Sequence, residues 1–198
     1  MVNFSFWLRN PTRVLARVRY WIYEKWNPDK PWLCPGTIAR LESVLKPQMS
    51  GVEFGSGRST YWLAQHLKHL ISIEHHQGWF ESVRKQIKIS NIRNVDLRFI
   101  PLDHPLDESE HNSYDPLPAY VRWLSLSHDD TLDFVLVDGH YRTTCIRCAI
   151  PKIKQGGYLV VDDTQMWDSN GGPPVPADWN CIDSSTNGLK TTKIWKRV

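Results

Sequence analysis

The sequence contains no apolar run that approaches the roughly 20 residues needed to cross a bilayer. It also lacks the apolar core of a signal peptide, because arginines interrupt the apolar residues near the N-terminus. No internal repeat and no low-complexity tract occurs. These absences favour a cytoplasmic globular protein, and 198 residues are enough to bury one substantial core.

The sequence has a small net charge and few cysteines. The net charge of +3 is too small to predict a nucleic-acid partner, so we expect none. Of the four cysteines, Cys145 and Cys148 form a C-x-x-C, but no second such pair is present to complete a zinc site. The pair falls inside a predicted helix, and we interpret both residues as small side chains that pack at least partly against the sheet.

The first 30 residues differ from the rest and predict a basic, aromatic helical arm on a domain formed by residues 31–198. Apolar residues at positions 14, 15, 18, 21 and 22 follow a helical spacing, with arginines between them. One interpretation is a helix that packs on the domain and covers apolar surface. The alternatives are peripheral contact with an anionic membrane, or docking of a partner or a second copy of the chain.

Beyond the arm, five apolar runs alternate with helical segments: "GVEFG", "LISIEH", "VDLRFIP", "LDFVLVD" and "GGYLVVDD". Near-continuous apolar strands of this kind predict a parallel sheet with both faces covered by helices. The Asn187-Gly188 pair lies between two β-type runs and predicts a hairpin. We therefore predict a three-layer, Rossmann-like α/β fold, mostly parallel, with an antiparallel C-terminal edge hairpin.

A glycine loop follows the first predicted strand. Gly55 and Gly57 allow a sharp turn and close approach of a ligand, and the helix that begins near Ser59 favours an anionic group at its N-terminus. The second strand ends in Glu74, about 20 residues on, where a carboxylate accepts both hydroxyls of a ribose. This pattern predicts a nucleotide-like cofactor. A nicotinamide-dependent oxidoreductase is disfavoured because the third glycine of its fingerprint is missing.

The segments "VEFGSGRSTYWLA", "ISIEH" and "FVLVDGHYR…IKQGGYLVVDDT" resemble the class I S-adenosylmethionine-dependent methyltransferases, and more narrowly a small group allied to the O-methyltransferases. The resemblance runs from about residue 35 to the end. It implies that the loop holds the methionine part of the cofactor, that Glu74 binds the ribose, and that Asp103 lies near the adenine. It implies also that Glu53 braces the loop or reaches the cofactor's ammonium. The implied cofactor residues are Glu53, Gly55, Ser56, Gly57, Ser59, Glu74 and Asp103.

Acidic residues end the fourth and fifth predicted strands: Asp138 on one, Asp162 and Asp163 on the other. Neighbouring strand ends would bring the three carboxylates together, where they repel unless one is protonated or a cation lies among them. Oxygen ligands suit Mg²⁺ or Ca²⁺, which would lower the pKa of an acceptor hydroxyl. The simpler interpretation is that Asp138 caps the next helix and the pair is solvated. Arg142 would bind an acidic substrate or pair with one of the three.

The cluster is similar to that of catechol-type O-methyltransferases, which hold a metal with an Asp after strand four and an Asp-Asn pair after strand five. Here Asp163 replaces the Asn, and Tyr141 replaces the lysine that serves as base. His140, with Asp138 beside it, is therefore the candidate catalytic base.

The predicted activity is O-methylation of a small-molecule acceptor, and the segments 102–130 and 164–178 are expected to frame its pocket. The alternative is a catalytically degenerate module that binds the cofactor or a partner.

Overall fold

A computed structural model describes residues 10–105 and 114–198. The helices of this part of the chain are α1 (Pro11–Trp26), α2 (Pro35–Val44), α3 (Arg58–His66), α4 (Gln77–Ile89), α5 (Ala119–Ser125) and α6 (Arg142–Ala149). The strands are β1 (Ser50–Phe54), β2 (His69–Glu74), β3 (Val95–Phe99), β4 (Leu132–Val137), β5 (Ile153–Val161), β6 (Asn180–Thr186) and β7 (Thr191–Lys196). Short 3₁₀ helices lie at Ile150–Lys152 and Thr164–Asn170.

The seven strands form one sheet in the order β3-β2-β1-β4-β5-β7-β6. Strands β1 to β5 pair in parallel, whereas β7 runs antiparallel to both β5 and β6. The predicted Rossmann-like sheet with an antiparallel edge hairpin is thus confirmed. The order reverses between β1 and β4, so a crevice opens at the carboxyl ends of these two strands.

Helices cover both faces of the sheet, and the side chains of β4 show why its sequence is continuously apolar. Val135 and Val137 belong to a buried cluster that includes α5 and α6. Phe134 and Leu136 point the other way, into a cluster that includes α2 and α3. Successive strand residues face opposite sides of the sheet, and both sides are buried here. All four residues from Phe134 to Val137 are therefore apolar.

The polar stretch at residues 102–130 holds a helix that the sequence did not predict. Tyr120, Val121 and Leu124 of α5 are buried against the sheet. With seven residues the helix is too short to display a clear helical repeat. Residues 106–113, also part of that stretch, lie outside the described residues.

Helix α1 presents its apolar residues in the direction opposite to the predicted one. Val14, Val18 and Trp21 are exposed, and the buried residue of the helix is Tyr20, whose hydroxyl donates to the carbonyl of Leu33 at 3.4 Å. The interpretation that this apolar side covers the domain is therefore wrong, because the helix packs through its other side. Among the described residues, no helix combines the length and apolar character needed to cross a membrane.

Candidate functional site

The glycine loop begins where the ends of β1 and β4 press together. Gly55 has a φ of +93°, and a Cβ there would lie 2.8 Å from the backbone oxygen of Asp138. At Gly139, a Cβ would lie 3.0 Å from the Gly55 nitrogen. Gly57 differs from the sequence interpretation: its backbone is extended, at φ 175°, and its N–H donates to Thr60 Oγ1 at 2.9 Å. The sharp turn therefore depends on Gly55, whereas Gly57 leads into α3.

Glu53 lies fully buried beneath this loop, on β1. Its Oε2 accepts hydrogen bonds from Thr60 Oγ1 and Ser72 Oγ, both at 2.6 Å. Burial raises its pKa to about 7, although the hydroxyls of Ser59, Ser72 and Thr60 act to lower it. Within the described residues its Oε1 makes no hydrogen bond. These contacts tie α3 to β2 and give Glu53 the geometry of a brace.

Glu74 ends β2 and closes the loop from the opposite side. Its Oε1 accepts the backbone N–H groups of His75 and His76 at 2.9 and 2.7 Å. Its Oε2 accepts the N–H of Ser56 at 3.2 Å. The carbonyl of Ser56 in turn accepts from Trp79 Nε1 at 2.5 Å. These hydrogen bonds therefore fix the loop and the carboxylate relative to each other.

A cavity of about 520 Å³ lies between the loop and the ends of β2 and β4. Its walls contain most of the predicted site, namely Gly55, Ser56, Gly57, Ser59, Glu74, Asp138 and His140. Arg142, which the sequence analysis placed beside the acidic cluster, also lines the wall. The wall residues that the sequence analysis did not single out are Trp32, Arg58, His75, His76, Trp79 and Gly139. The indole rings of Trp32 and Trp79 stack at 6.0 Å with an angle of 23°. A tryptophan-rich sequence signals such a pair only weakly, since most tryptophans pack in cores.

Asp103 lies elsewhere. Both of its carboxylate oxygens accept the N–H of Ala119 at 3.1 Å, and Oδ1 contacts His104 Nδ1 at 2.9 Å. It therefore holds the start of α5, and it does not line the cavity. In this position the Asp103 side chain is not placed for the contact with adenine that the resemblance implied.

The three aspartates after β4 and β5 do converge: each offers an oxygen within 4.8 Å of the others. Asp162 is fully buried among them. Its Oδ2 accepts from Lys190 Nζ and its Oδ1 from Thr192 Oγ1. Burial alone would lower the pKa of Lys190, but Asp162 and its acidic neighbours raise it above the ordinary value. The innermost carboxylate is therefore matched by a lysine from the hairpin.

Arg142 pairs with the two outer carboxylates. Its Nη1 donates to Asp163 Oδ2 at 3.2 Å, and its Nη2 to Asp138 Oδ1 at 3.4 Å. Burial, together with the charge of Asp162, holds the pKa of Asp138 well above its usual range, and Arg142 offsets this only in part. Asp163 is the reverse case: burial would raise its pKa, but the hydrogen bond from Gln165 and the charge of Arg142 lower it.

This arrangement does not fit the metal site assigned to Asp138, Asp162 and Asp163. Both oxygens of Asp162 already accept hydrogen bonds, and Arg142 lies between the other two carboxylates. A divalent cation would have to displace two protein cations from partly or fully buried acids. The geometry instead sets Arg142 and Lys190 against these acids, which agrees with the alternative that Arg142 pairs with members of the cluster.

His140 lies in the cavity wall beside the cluster. Its ring meets that of His75 edge to face, with centroids 4.4 Å apart. Burial lowers the pKa of His75, and the Glu74 carboxylate opposes this. The hydroxyl of Tyr141 donates to the carbonyl of His104 at 2.7 Å, so it is turned away from the cavity. Tyr141 therefore does not take the position of the missing lysine.

The sheet order, the glycine loop after β1 and the acid that ends β2 together define the class I methyltransferase fold. The sequence profile of a family described as a methyltransferase domain matches residues 52–164, more than half of the chain. The chain thus belongs to this methyltransferase-domain family, and it is an S-adenosylmethionine-dependent methyltransferase. No curated protein sequence matches it.

Solved structures agree with this fold. The yhhF protein of Escherichia coli is 16% identical with a TM-score of 0.61, over 82% of this chain and 84% of its own. SMU.1697c of Streptococcus mutans, solved in complex with SAH, is 11% identical with a TM-score of 0.57, over 83% and 98%. An rRNA methylase of Streptococcus thermophilus is 12% identical with a TM-score of 0.55, over 85% and 99%. At these identities the likeness concerns the fold.

Proposed function

We propose that the protein transfers the methyl group of S-adenosylmethionine to an oxygen of a small-molecule acceptor, without a metal ion. The observation that carries the proposal is the cavity itself. One recess joins the glycine loop and Glu74 to the turn that holds Asp138 and His140. A cofactor site and a proton-accepting group therefore share one space. The SAH bound to the protein of Streptococcus mutans supports the choice of cofactor.

The loop and Glu74 are the proposed cofactor contacts. The N-terminus of α3 begins at Arg58, beside Gly57, and favours the carboxylate of the methionine part. At Glu74, a carboxylate has about four lone-pair sites, and three backbone N–H groups use three of them. Oε2 accepts only one of these N–H groups and retains capacity for a ribose hydroxyl. The Trp32 and Trp79 rings border the same recess.

The reaction is a displacement in which the acceptor oxygen forms a bond to the methyl carbon as the carbon–sulfur bond breaks. S-adenosylhomocysteine leaves with the electron pair, and the acceptor's proton must go to a base. His140 is the proposed base, because its imidazole lines the same recess as the glycine loop and Glu74 and a neutral ring nitrogen can accept a proton. Asp138 is not assigned as the base, because Arg142 Nη2 already donates to its Oδ1 at 3.4 Å. We assign it the orientation of the acceptor instead.

Calorimetry tests the cofactor step. S-adenosylmethionine and S-adenosylhomocysteine should bind the wild type, and Glu74→Ala should weaken binding by about 1–3 kcal/mol, since ribose hydroxyls lose their acceptor. Glu81→Ala is the matched control, because Glu81 lies on the exposed side of α4 in a surface pair with Arg84. Absence of detectable binding by the wild type at millimolar ligand would refute the proposal.

Turnover tests the acceptor class. Release of S-adenosylhomocysteine is measured with panels of phenols, alcohols and amines. Hydroxyl compounds should be methylated, and His140→Gln should slow this by about 100-fold or more while cofactor affinity stays unchanged. Methylation of amines alone would exclude the assigned acceptor class. Full activity of His140→Gln at neutral pH would exclude His140 as the base.

A further inference from the structure

Helix α1 exposes an apolar surface that the domain does not use. Twelve large apolar side chains are exposed in the described part of the chain, and six of them lie on this helix of 16 residues. They form what we call the outward face: Val14, Leu15, Val18, Trp21, Ile22 and Trp26. Their exposed fractions run from 38% to 82%. A helix whose solvent side is apolar inverts the usual pattern of a surface helix, and exposed apolar patches of this kind mark interaction sites.

The charge of the protein is concentrated on the same segment. Residues 1–26 contain five lysines and arginines against one acid, whereas residues 27–198 contain 19 against 20. The whole surplus of +3 therefore originates in the arm. On α1 itself the basic residues Arg13, Arg17, Arg19 and Lys25 are all exposed. Such asymmetry points to an anionic partner.

Three kinds of partner would meet these features differently. A second copy docked through the same face would bring two basic helices together, and like charges at an interface are unfavourable. Nucleic acid would satisfy the arginines but leave the aliphatic side chains of Val14, Leu15, Val18 and Ile22 in water. An anionic lipid surface satisfies both sets, since apolar residues enter the acyl boundary and basic residues meet the headgroups.

We propose that the outward face of α1 docks the protein on an anionic lipid surface, with the helix lying along the interface. Trp21 and Trp26 suit the headgroup region, where aromatic rings bridge apolar and polar layers. Lys25 Nζ lies 5.8 Å from the centre of the Trp21 ring and is free to extend toward the headgroups.

Helix α1 also borders the acidic cluster. Arg17 and Glu24 of α1 line a recess of about 430 Å³ together with Asp163 and Lys190 of the acidic cluster. The helix is thus one wall of the space beside the cluster.

Vesicle flotation of the full chain tests the proposal. The vesicles are phosphatidylcholine alone, or phosphatidylcholine with about a third phosphatidylglycerol. The wild type should float with the anionic vesicles only, and about 0.5 M NaCl should release much of it, because salt screens the headgroup attraction. Val18→Glu/Ile22→Glu should lower partitioning by about 10-fold or more. Leu126→Glu, which alters an exposed leucine outside the arm, should float like the wild type.

Circular dichroism and SAH calorimetry of each variant show that the fold and the cofactor site are intact. Failure of the wild type to float with anionic vesicles at low salt would overturn the proposal. Equal flotation with neutral vesicles would overturn its electrostatic part. A dimer in sedimentation velocity that Val18→Glu/Ile22→Glu dissociates, without vesicle binding, would identify a second copy as the partner instead. None of these results depends on methyl transfer.

Discussion

The two halves of the crevice each bury a carboxylate completely, and they stabilise it by different means. At the ends of β1 and β2, Glu53 is surrounded by hydroxyl groups, no cation of the described residues contacts it, and its pKa rises to about 7. At the ends of β4 and β5, Asp162 contacts Lys190 and Thr192, with Arg142 close by. Neutral donors leave a buried acid able to take a proton, whereas a paired cation fixes its charge.

The difference follows the proposed task of each half. The loop half must hold its shape around a cofactor, and its contacts are short hydrogen bonds between neighbouring strands and α3. The acidic half must hold several charges at the acceptor side, and its contacts reach from β4 to the hairpin. Variants that alter one half at a time separate the two designs.

The largest change in the free energy of unfolding is expected for Gly55→Ala, which alters the loop half. A methyl group would strain a backbone at φ +93° and press on the Asp138 carbonyl, so we expect a loss of about 4 kcal/mol in the free energy of unfolding. Urea titration measures it, and SAH calorimetry should show no binding. Gly156→Ala is the control with φ +79° and no atom near the added methyl, so it isolates backbone strain from contact. Equal losses in the two variants would show that the contact with β4 is unimportant.

Lys190→Met tests the acidic half. It leaves the buried carboxylate of Asp162 without its cation, and we expect a loss of about 3 kcal/mol in urea titration. Adding Asp162→Asn should restore most of that loss, because the uncompensated charge is then gone. The surface pair between Lys154 and Asp133 provides the control, and Lys154→Met should cost less than about 0.5 kcal/mol. Similar losses in both lysine variants would contradict the pairing.

The loop half was largely predictable from the sequence, for a physical reason. A glycine after an apolar run and an acid at a strand end are local signals, and parallel strands carry them to one edge of the sheet. Gly55, Glu74 and Asp138 could be assigned to one crevice in this way. The position of Asp103 could not, because it depends on where α5 begins.

The partner of Asp162 is the clearest feature beyond the reach of such signals. Lys190 follows it by 28 residues and reaches it only because β7 pairs with β5, with Val161 opposite Lys193. The sequence around a charged hairpin residue does not show the register with which its strand pairs. The spacing of α1 likewise gives its helical period but not the side that packs, which depends on Tyr20 and its contact with Leu33.

A pH series sharpens the contrast between the two buried carboxylates. The folded pKa of Glu53, about 7, exceeds the ordinary 4.5, so the folded state holds a proton that the unfolded state has lost. Its contribution to stability is therefore complete below pH 4.5 and is lost as the pH rises to about 7, up to about 3 kcal/mol in all. Glu53→Gln cannot titrate, so its unfolding free energy should fall less between pH 5 and pH 8, by about this amount. Glu81→Gln should keep the wild-type slope, and parallel curves for wild type and Glu53→Gln would refute the assignment.

The smallest expected effect is that of divalent cations, because Arg142 and Lys190 already offset the acidic cluster. EDTA, Mg²⁺ or Ca²⁺ should leave the melting temperature of the wild type nearly unchanged. A true site filled at a hundred times its Kd would add about 2.7 kcal/mol, which for a chain of this size is a rise of about 5–10 °C. A saturable rise of that size, abolished by Asp163→Asn but kept in Asp168→Asn at the 3₁₀ helix beyond β5, would establish a metal site and overturn the pairing. A rise shared by both variants would place the ion elsewhere on the surface, because Asp163→Asn removes a carboxylate of the cluster.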